Sequence, residues 1–171
     1  TNDQRYLIDR RDVIYYQTEP LEADLTIAGP ITANLFVVTD QTDADWIVKL
    51  IDVYPENHPV FAHQPDKDMA GYQQLVRSET FRGRFRNSYE NPEPFESKEL
   101  EKVQIPLQDV LHTFKKGHRL MVQIHSTWFP LVDINPQKYV DNIFKAEPED
   151  FVKAKHRVSR SGKNPSHIKI G

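Results

Sequence analysis

Hydrophobic and polar residues alternate over short stretches of this chain, and a period of two is typical of a β-strand with one buried face. The clearest alternation covers residues 118–126. On one face we predict three aliphatic residues packed in a core: Leu120, Val122 and Ile124. The alternate residues are predicted to face away from that core: Arg119, Met121, Gln123 and His125.

Further strands are predicted at residues 12–17, 24–27, 31–39, 46–54, 72–79 and 103–107, with last strands near Val158 and at 167–170. In the stretch 46–54 both faces are apolar, and Pro55 ends it, which is typical of a central sandwich strand. Its two faces are predicted as Trp46, Val48 and Leu50 against Ile47, Ile51 and Val53.

Two short stretches are instead predicted to be helical. Residues 109–114 would form one helical turn, and residues 149–154 a short helix. Pro106 cannot donate a backbone hydrogen bond, so the strand that contains it is predicted to lie at a sheet edge or to be irregular.

Turn signals such as Ala28-Gly29-Pro30 separate the predicted strands at intervals of roughly 8 to 12 residues. No amphipathic helix longer than about two turns is indicated. This pattern predicts an all-β fold, a mostly antiparallel sandwich or jelly roll.

Composition restricts the functional classes. The 171 residues fit one domain, and 38% of them are hydrophobic, which favours a folded chain. A formal charge of −3 argues against a nucleic-acid partner. No run of roughly 18 apolar residues occurs, so no membrane span is predicted. The chain has no cysteine, which excludes disulfides and thiolate metal sites.

No catalytic serine is indicated by the sequence. The nucleophile elbow of a serine hydrolase needs glycine two residues before and two residues after the serine. Neither Ser78 nor Ser126 has that context. His125 and Ser126 are adjacent on a predicted strand, so their side chains would point to opposite faces. We therefore assign no catalytic residue and no cofactor-binding residue.

Two clusters contain side chains of types that bind metal ions. The first lies in a polar loop: His58, His63, Asp66 and Asp68. The second could offer oxygen ligands: Asp40, Asp43 and Asp45. Neither spacing matches a dedicated site, so a solvated loop and a turn capped by aspartates are the preferred interpretations. No metal site is assigned.

Two features are candidates for contact with another domain. Arg82, Arg84 and Arg86 alternate on one side of a predicted extended run. They could hold a carboxylate, a phosphate or a partner surface, and salt bridges within or between domains are the preferred interpretation. Trp128 and Phe129 form an aromatic corner beyond a strand end, suited to packing at an interface or a cleft.

Several blocks of sequence resemble one family in the same order along the chain. They are DVIYYQTEPL at 12–21, DLTIAGP at 24–30, DADWIVKLIDVYP at 43–55, MAGYQ at 69–73, FRGRFR at 81–86, KGHRLMVQI at 116–124, STWFPLVDINPQ at 126–137 and PSHI at 165–168. Together they resemble the C-terminal domain of the X-Pro dipeptidyl-peptidase and cocaine-esterase (CocE/NonD) hydrolase superfamily, and within it the α-amino acid ester hydrolases and glutaryl acylases.

This resemblance implies that residues 1–171 are one galactose-binding-like jelly roll, the noncatalytic C-terminal domain of a larger serine hydrolase. An upstream α/β-hydrolase domain and a helical cap would be its partners and would carry the Ser-His-Asp chemistry. The domain would stabilise the catalytic domain and wall the substrate cleft. The chain starts without a methionine, which also leads us to expect a piece of a longer polypeptide.

Other interpretations remain open at the level of sequence. A carbohydrate- or peptide-binding module is the main alternative, and a metal-dependent enzyme that uses the loop of His58 is a third. The oligomeric state is open, with a homo-oligomer among the options. So is the compartment of the parent, with a periplasmic or secreted location among the options.

Overall fold

The computed structural model describes residues 3–171 and is built almost entirely from strands. Eight strands lie within these residues: β1 (Ile14–Gln17), β2 (Leu25–Thr39), β3 (Asp45–Val53), β4 (Gln73–Arg82), β5 (Glu101–Phe114), β6 (Arg119–His125), β7 (His156–Val158) and β8 (His167–Ile170). Four single 3-10 turns complete the ordered elements: Arg5–Leu7, Gly83–Phe85, Ile143–Lys145 and Pro148–Asp150. Over residues 3–171, no helix has the length and apolar character needed to cross a membrane.

The strands form two antiparallel sheets. The first sheet has the order β1-β6-β3-β4, and the second has the order β5-β2-β7, with β8 also paired to β2. Strand β2 is the centre of the second sheet because β5 pairs along one side of it, while β8 and then β7 pair along the other. The predicted all-β, mostly antiparallel sandwich is therefore confirmed.

The core lies between the two sheets and is made by alternate residues of each. From the first sheet, Trp46, Val48 and Leu50 of β3 are at most 2% exposed, and Ile124 of β6 packs with them. The second sheet contributes aliphatic side chains of β2 and β5, all at most 1% exposed: Ile31, Ala33, Leu35, Val37, Val103 and Ile105. The inward-facing positions predicted for β6 and the two faces predicted for β3 are confirmed, and the structure places Trp46, Val48 and Leu50 on the inward one.

The outer face of the first sheet is also buried in its middle. Met121, Gln123 and His125 do face away from the core, as predicted, but each is at most 4% exposed. Every residue of β3 is buried as well. A second layer must therefore cover this sheet, and among the described residues it consists of residues 3–10 together with the loop that follows β6.

The predicted helical turn at residues 109–114 is wrong, because this stretch is the second half of β5. Leu107, Val110 and Phe114 have the helical spacing of three and four residues, yet all are buried against the opposite sheet. The spacing arises because the pairing register shifts between Gly29 and Ile31 of β2. A bulge of this kind breaks the period of two without ending the strand.

Two further predictions concern Pro106 and the region after β6. Pro106 lies in β5, which is the edge strand of its sheet, as its missing donor predicts. The predicted helix at 149–154 is wrong in extent, because only Pro148–Asp150 form a 3-10 turn. Final strands near Val158 and at 167–170 are confirmed as β7 and β8.

Candidate interdomain surface

The N-terminal segment (residues 3–10) crosses the outer face of the first sheet. Its 3-10 turn at Arg5–Leu7 buries Leu7, and Gln4 is 0% exposed. The Gln4 N–H donates to the carbonyl of Gln73 on β4 over 2.9 Å. The Arg5 Nη1 donates to the Ala70 carbonyl over 2.9 Å. The segment is therefore fastened to the sheet rather than loosely attached.

Lys49 lies beneath this segment, in the middle of β3, and is 0% exposed. Its Nζ donates to Gln4 Oε1 over 2.8 Å and stands 3.8 Å from the centroid of the Trp128 ring. Burial, with a smaller contribution from the charge of Arg10, lowers the pKa of Lys49 to about 8. The buried ammonium thus joins the sheet, the N-terminal segment and the aromatic corner by polar and cation–π contacts.

His125 positions the same corner from β6. One of its ring nitrogens, Nδ1, lies 2.7 Å from the Thr127 carbonyl, so the N–H there donates to that oxygen. The ring centroid is 6.2 Å from that of Trp128. Burial, followed by the charge of Lys49, lowers the pKa of His125 to about 4. A neutral imidazole at ordinary pH therefore orients the start of the loop, and its Nδ1 is not bonded to Ser126.

The aromatic corner forms an exposed apolar surface. We call it the Trp128 surface and define it by Tyr6, Trp128, Phe129, Pro130 and Leu131, which line a depression of about 500 Å³. Tyr6 is 55% exposed, Phe129 64% and Leu131 69%. The structure thus places predicted contact residues Trp128 and Phe129 side by side and adds two residues that the sequence did not indicate, Tyr6 and Leu131.

Arg84, by contrast, is used inside the domain. Its guanidinium pairs with the carboxylate of Asp43, and Nη1 donates to the Val140 carbonyl over 2.8 Å. It also lies 4.5 Å from the centroid of the Tyr139 ring. Only 6% of the Arg84 side chain is exposed, so its N–H groups donate to other residues of this same domain.

The other two arginines are also paired internally. Arg82 pairs with Asp45 at 3.2 Å, and Arg86 pairs with Glu101 at 3.0 Å while lying over the Phe95 ring. The predicted extended run is wrong beyond Arg82, since Gly83–Phe85 form a 3-10 turn. Hence the three guanidinium groups do not form a single row, and each reaches a different carboxylate.

Glycine is required where this turn begins. A Cβ on Gly83 would lie 2.4 Å from the Phe95 ring and 2.8 Å from the Ala44 carbonyl oxygen, both too close for real atoms. The backbone passes this near because the Gly83 N–H donates to Ala44 O over 2.8 Å. The close approach ties the end of β4 to the start of β3.

The histidine loop does not bring its predicted metal-binding side chains together. The His58 ring packs 4.8 Å from Tyr54, and the His63 ring stacks on Phe61. Asp68 accepts the backbone N–H of Ala70. Across residues 3–171, no three His, Cys, Asp or Glu side chains converge as a metal site would need.

The aspartates after β2 cap turns instead. Asp40 accepts the backbone N–H of Lys155, and Asp43 accepts that of Ala44. Asp45 accepts from Asn135 Nδ2 over 2.8 Å, and burial raises its pKa to about 6. These three aspartates are close in sequence, yet each accepts a hydrogen bond from a different residue of the fold.

A buried polar cluster that sequence reasoning missed joins the two sheets. Asp52 of β3 is 2% exposed and accepts from His118 Nδ1 over 2.8 Å and from His112 Nε2 over 2.9 Å. The two histidines, His112 and His118, lie 60 and 66 positions after Asp52, so no local motif reveals the cluster. The signal available in the sequence was this aspartate, which follows apolar residues on the inward face of β3.

A groove of about 680 Å³ lies on the other side of the N-terminal segment, over the outer face of the first sheet. Arg5, Tyr15 and Arg119 are among its walls, and Gln73 and Gln123 are part of its lining. Both glutamines are at most 4% exposed, and within residues 3–171 the Oε1 atom of each has no hydrogen-bond partner.

Comparison with known proteins assigns the chain to a family. Residues 4–169 match the family described as the X-Pro dipeptidyl-peptidase C-terminal non-catalytic domain. The chain belongs to this family. The resemblance found in the sequence is thereby confirmed, and this chain is a non-catalytic C-terminal domain of the X-Pro dipeptidyl-peptidase family.

Individual relatives agree with this membership. The cocaine esterase of Rhodococcus sp. (strain MB1 Bresler) is 33% identical over 166 residues, which are 97% of this chain and 26% of the esterase. An α-amino acid ester hydrolase structure matches with 46% identity and a TM-score of 0.92, and an aminopeptidase structure from a marine sediment Thaumarchaeota archaeon with 44% and 0.92. Each match covers 99% of this chain and 27% of the other.

A more distant structure supports the fold alone. The CocE/NonD family hydrolase of Staphylococcus aureus is 18% identical with a TM-score of 0.66, over 99% of this chain and 31% of that one. The chain therefore spans about a quarter to a third of the length of the proteins that it matches.

Proposed function

We propose that this domain docks on and stabilises the catalytic part of a serine hydrolase in the same polypeptide and forms one wall of its substrate cleft. The observation that carries the proposal is coverage: a family described as non-catalytic matches residues 4–169, while about three quarters of each close relative lies outside the match. Those relatives are an esterase, an ester hydrolase and an aminopeptidase.

The chemistry proposed for the parent is acyl transfer through a covalent acyl-serine. The upstream serine would attack the acyl carbon while a histidine takes its proton and passes it to the leaving alcohol or amine. Water would then release the acid by the reverse proton transfers. In this proposal the domain supplies no reacting group, and amino-acid esters and small peptide-like amides are the substrate class.

The candidate contacts divide into two kinds. Phe129 offers exposed apolar area to a partner, and the half-buried Trp128 ring lies beside it. Among the arginines, Arg82 keeps 22% of its side chain exposed, whereas Arg84 keeps 6% and Arg86 keeps 4%. We propose that any direct polar contact through this region is made by Arg82, and that the other two act by holding the domain in shape.

Deletion of the domain tests the proposal. The full-length parent and a version that ends before this domain would be compared for hydrolysis of p-nitrophenyl acetate and for half-life at raised temperature. We expect the isolated 171-residue chain to show no saturable hydrolysis, and the shortened parent to lose its activity much faster. Saturable turnover by the isolated chain, or an unchanged half-life of the shortened parent, would contradict the proposal.

The groove supports a second candidate function, the binding of a carbohydrate or peptide. The exposed side chains of Tyr15 and Gln17 and the half-buried Arg119 line it, and such side chains bind hydroxyl or peptide groups. Titration of the isolated chain with cellotriose, chitotriose and pentaglycine, followed by calorimetry, would test it. Binding that Gln17→Leu weakens would support this function, and the absence of heat with all three would exclude it for these ligands.

A further inference from the structure

We infer that the Trp128 surface is the face on which the catalytic part of the same polypeptide docks. This inference rests on the proposed function and names the surface through which it acts. The surface is formed jointly by the N-terminal segment and the loop after β6.

Exposed apolar side chains are clustered on this surface. Phe129 and Leu131 are each more than 60% exposed, and Tyr6 faces the same depression. Single exposed hydrophobic residues are ordinary on a protein surface, but a contiguous concave group of them marks an interaction site. Other exposed apolar side chains, such as Leu111 and Phe144, do not line this depression.

The catalytic part of the relatives lies on the N-terminal side of the matched region. About three quarters of each close relative lies outside the match, and the family is described as a C-terminal domain. Tyr6 belongs to the N-terminal segment and lines this depression, so a catalytic part that precedes the domain would connect to it on this side.

The charged groups beside this surface are already paired. Asp3 and Arg10 also line the depression, and they form ion pairs with Arg5 and Asp12. A concave, mostly apolar surface whose charged neighbours are paired is complementary to apolar side chains of a partner rather than to an anionic or cationic ligand.

The Trp128 surface is held rigidly by the residues beneath it. The Trp128 ring is held from below by the Lys49 ammonium, and Thr127 by the His125 ring. Lys49 also binds Gln4, so one buried residue fixes both halves of the surface. A surface held in place in this way loses little conformational entropy when it is covered.

Substitution in the full-length parent tests the inference. Phe129→Asp and Leu131→Asp would be compared with the matched control Leu111→Asp, at a position that is 77% exposed on β5. We expect each surface variant to shorten the half-life of activity at raised temperature roughly tenfold, and the control to leave it unchanged. Hydrogen exchange of residues 127–131 should rise in the surface variants.

The same exchange experiment separates docking from folding. Amides of β3, at the centre of the sandwich, should keep their protection in the surface variants, because Phe129 and Leu131 lie outside the core. If the surface variants match the control while deletion of the domain still shortens the half-life, another face docks and this inference is overturned. If deletion itself has no effect, the proposed function fails first.

Discussion

Replacement of Lys49 by methionine tests the central contact of the second layer. Lys49 is 0% exposed, and its pKa is lowered from 10.5 to about 8 by burial. Methionine has a similar length and no charge, so Lys49→Met removes the buried ammonium with little change in volume. It also removes the contacts of Nζ with Gln4 and with the Trp128 ring.

The sign of the pH effect follows from the direction of the shift. Between about pH 8 and pH 10.5 the unfolded chain keeps a proton on Lys49 that the folded chain has lost. Since the unfolded state then binds more protons, the free energy of unfolding rises with pH across this window. Each unit of pKa shift corresponds to about 1.4 kcal/mol, so the rise from pH 7 to about pH 9.5 is on the order of 2 kcal/mol.

The assay is urea unfolding followed by circular dichroism, at several pH values and constant ionic strength. Subtraction of the variant from the wild type cancels the titration of groups that Lys49 does not influence. The pKa of His125, which the charge of Lys49 lowers, is about 4 and lies below the pH window used, so the difference isolates Lys49. We expect the free energy of unfolding of the wild type to rise relative to that of Lys49→Met as pH increases. A difference that stays constant to within about 0.5 kcal/mol would refute the claim that a buried ammonium is desolvated here.

Three substitutions test the packing and the ion pairs of the sandwich by the midpoint of urea unfolding. Ile105→Ala removes a side chain that is 0% exposed and should cost about 2 to 5 kcal/mol through lost burial and a cavity. Gly83→Ala places a methyl group 2.4 Å from the Phe95 ring and should cost about 1 to 3 kcal/mol through overpacking. Arg84→Met leaves the Asp43 carboxylate buried without its cation and should cost about 3 to 5 kcal/mol.

Each of these has a control within the chain. Leu111→Ala changes a side chain that is 77% exposed, and it should have little effect on stability. Lys115→Met breaks the exposed pair with Asp24 and should cost less than about 1 kcal/mol. Addition of Phe95→Leu to Gly83→Ala should recover part of the loss. Equal midpoints for a buried variant and its control would contradict the corresponding reasoning.

Local hydrophobic patterns were sufficient to predict most strands, and a long-range effect explains the stretch that they predicted wrongly. The alternation of Leu120, Val122 and Ile124 specifies which face of β6 points into the core between the sheets, whatever the partner strand. At residues 109–114 the same reasoning failed, because a register shift opposite Gly29 imitates helical spacing. That shift depends on a strand about eighty residues away, which no local window contains.

The candidate site was predictable only in part. Trp128 and Phe129 were indicated by an aromatic corner beyond a strand end, and the structure places them together at an exposed surface. Tyr6 and Lys49 join them only through the folding of the N-terminal segment onto the sheet. Arg82, Arg84 and Arg86 alternate in the sequence but form three separate ion pairs in the structure, because the 3-10 turn that begins at Gly83 changes the direction of the backbone.

The sequence by itself determined the strand content, the two faces of β3, the inward face of β6 and, through its collinear blocks, the family. These depend on side-chain periodicity and on residue identity, both of which are local properties. Only the tertiary structure decided what covers the outer face of the first sheet, which carboxylate each arginine meets, and how Asp52 joins two distant histidines. Such contacts arise between segments far apart in the chain, where pairing register and burial select the partner.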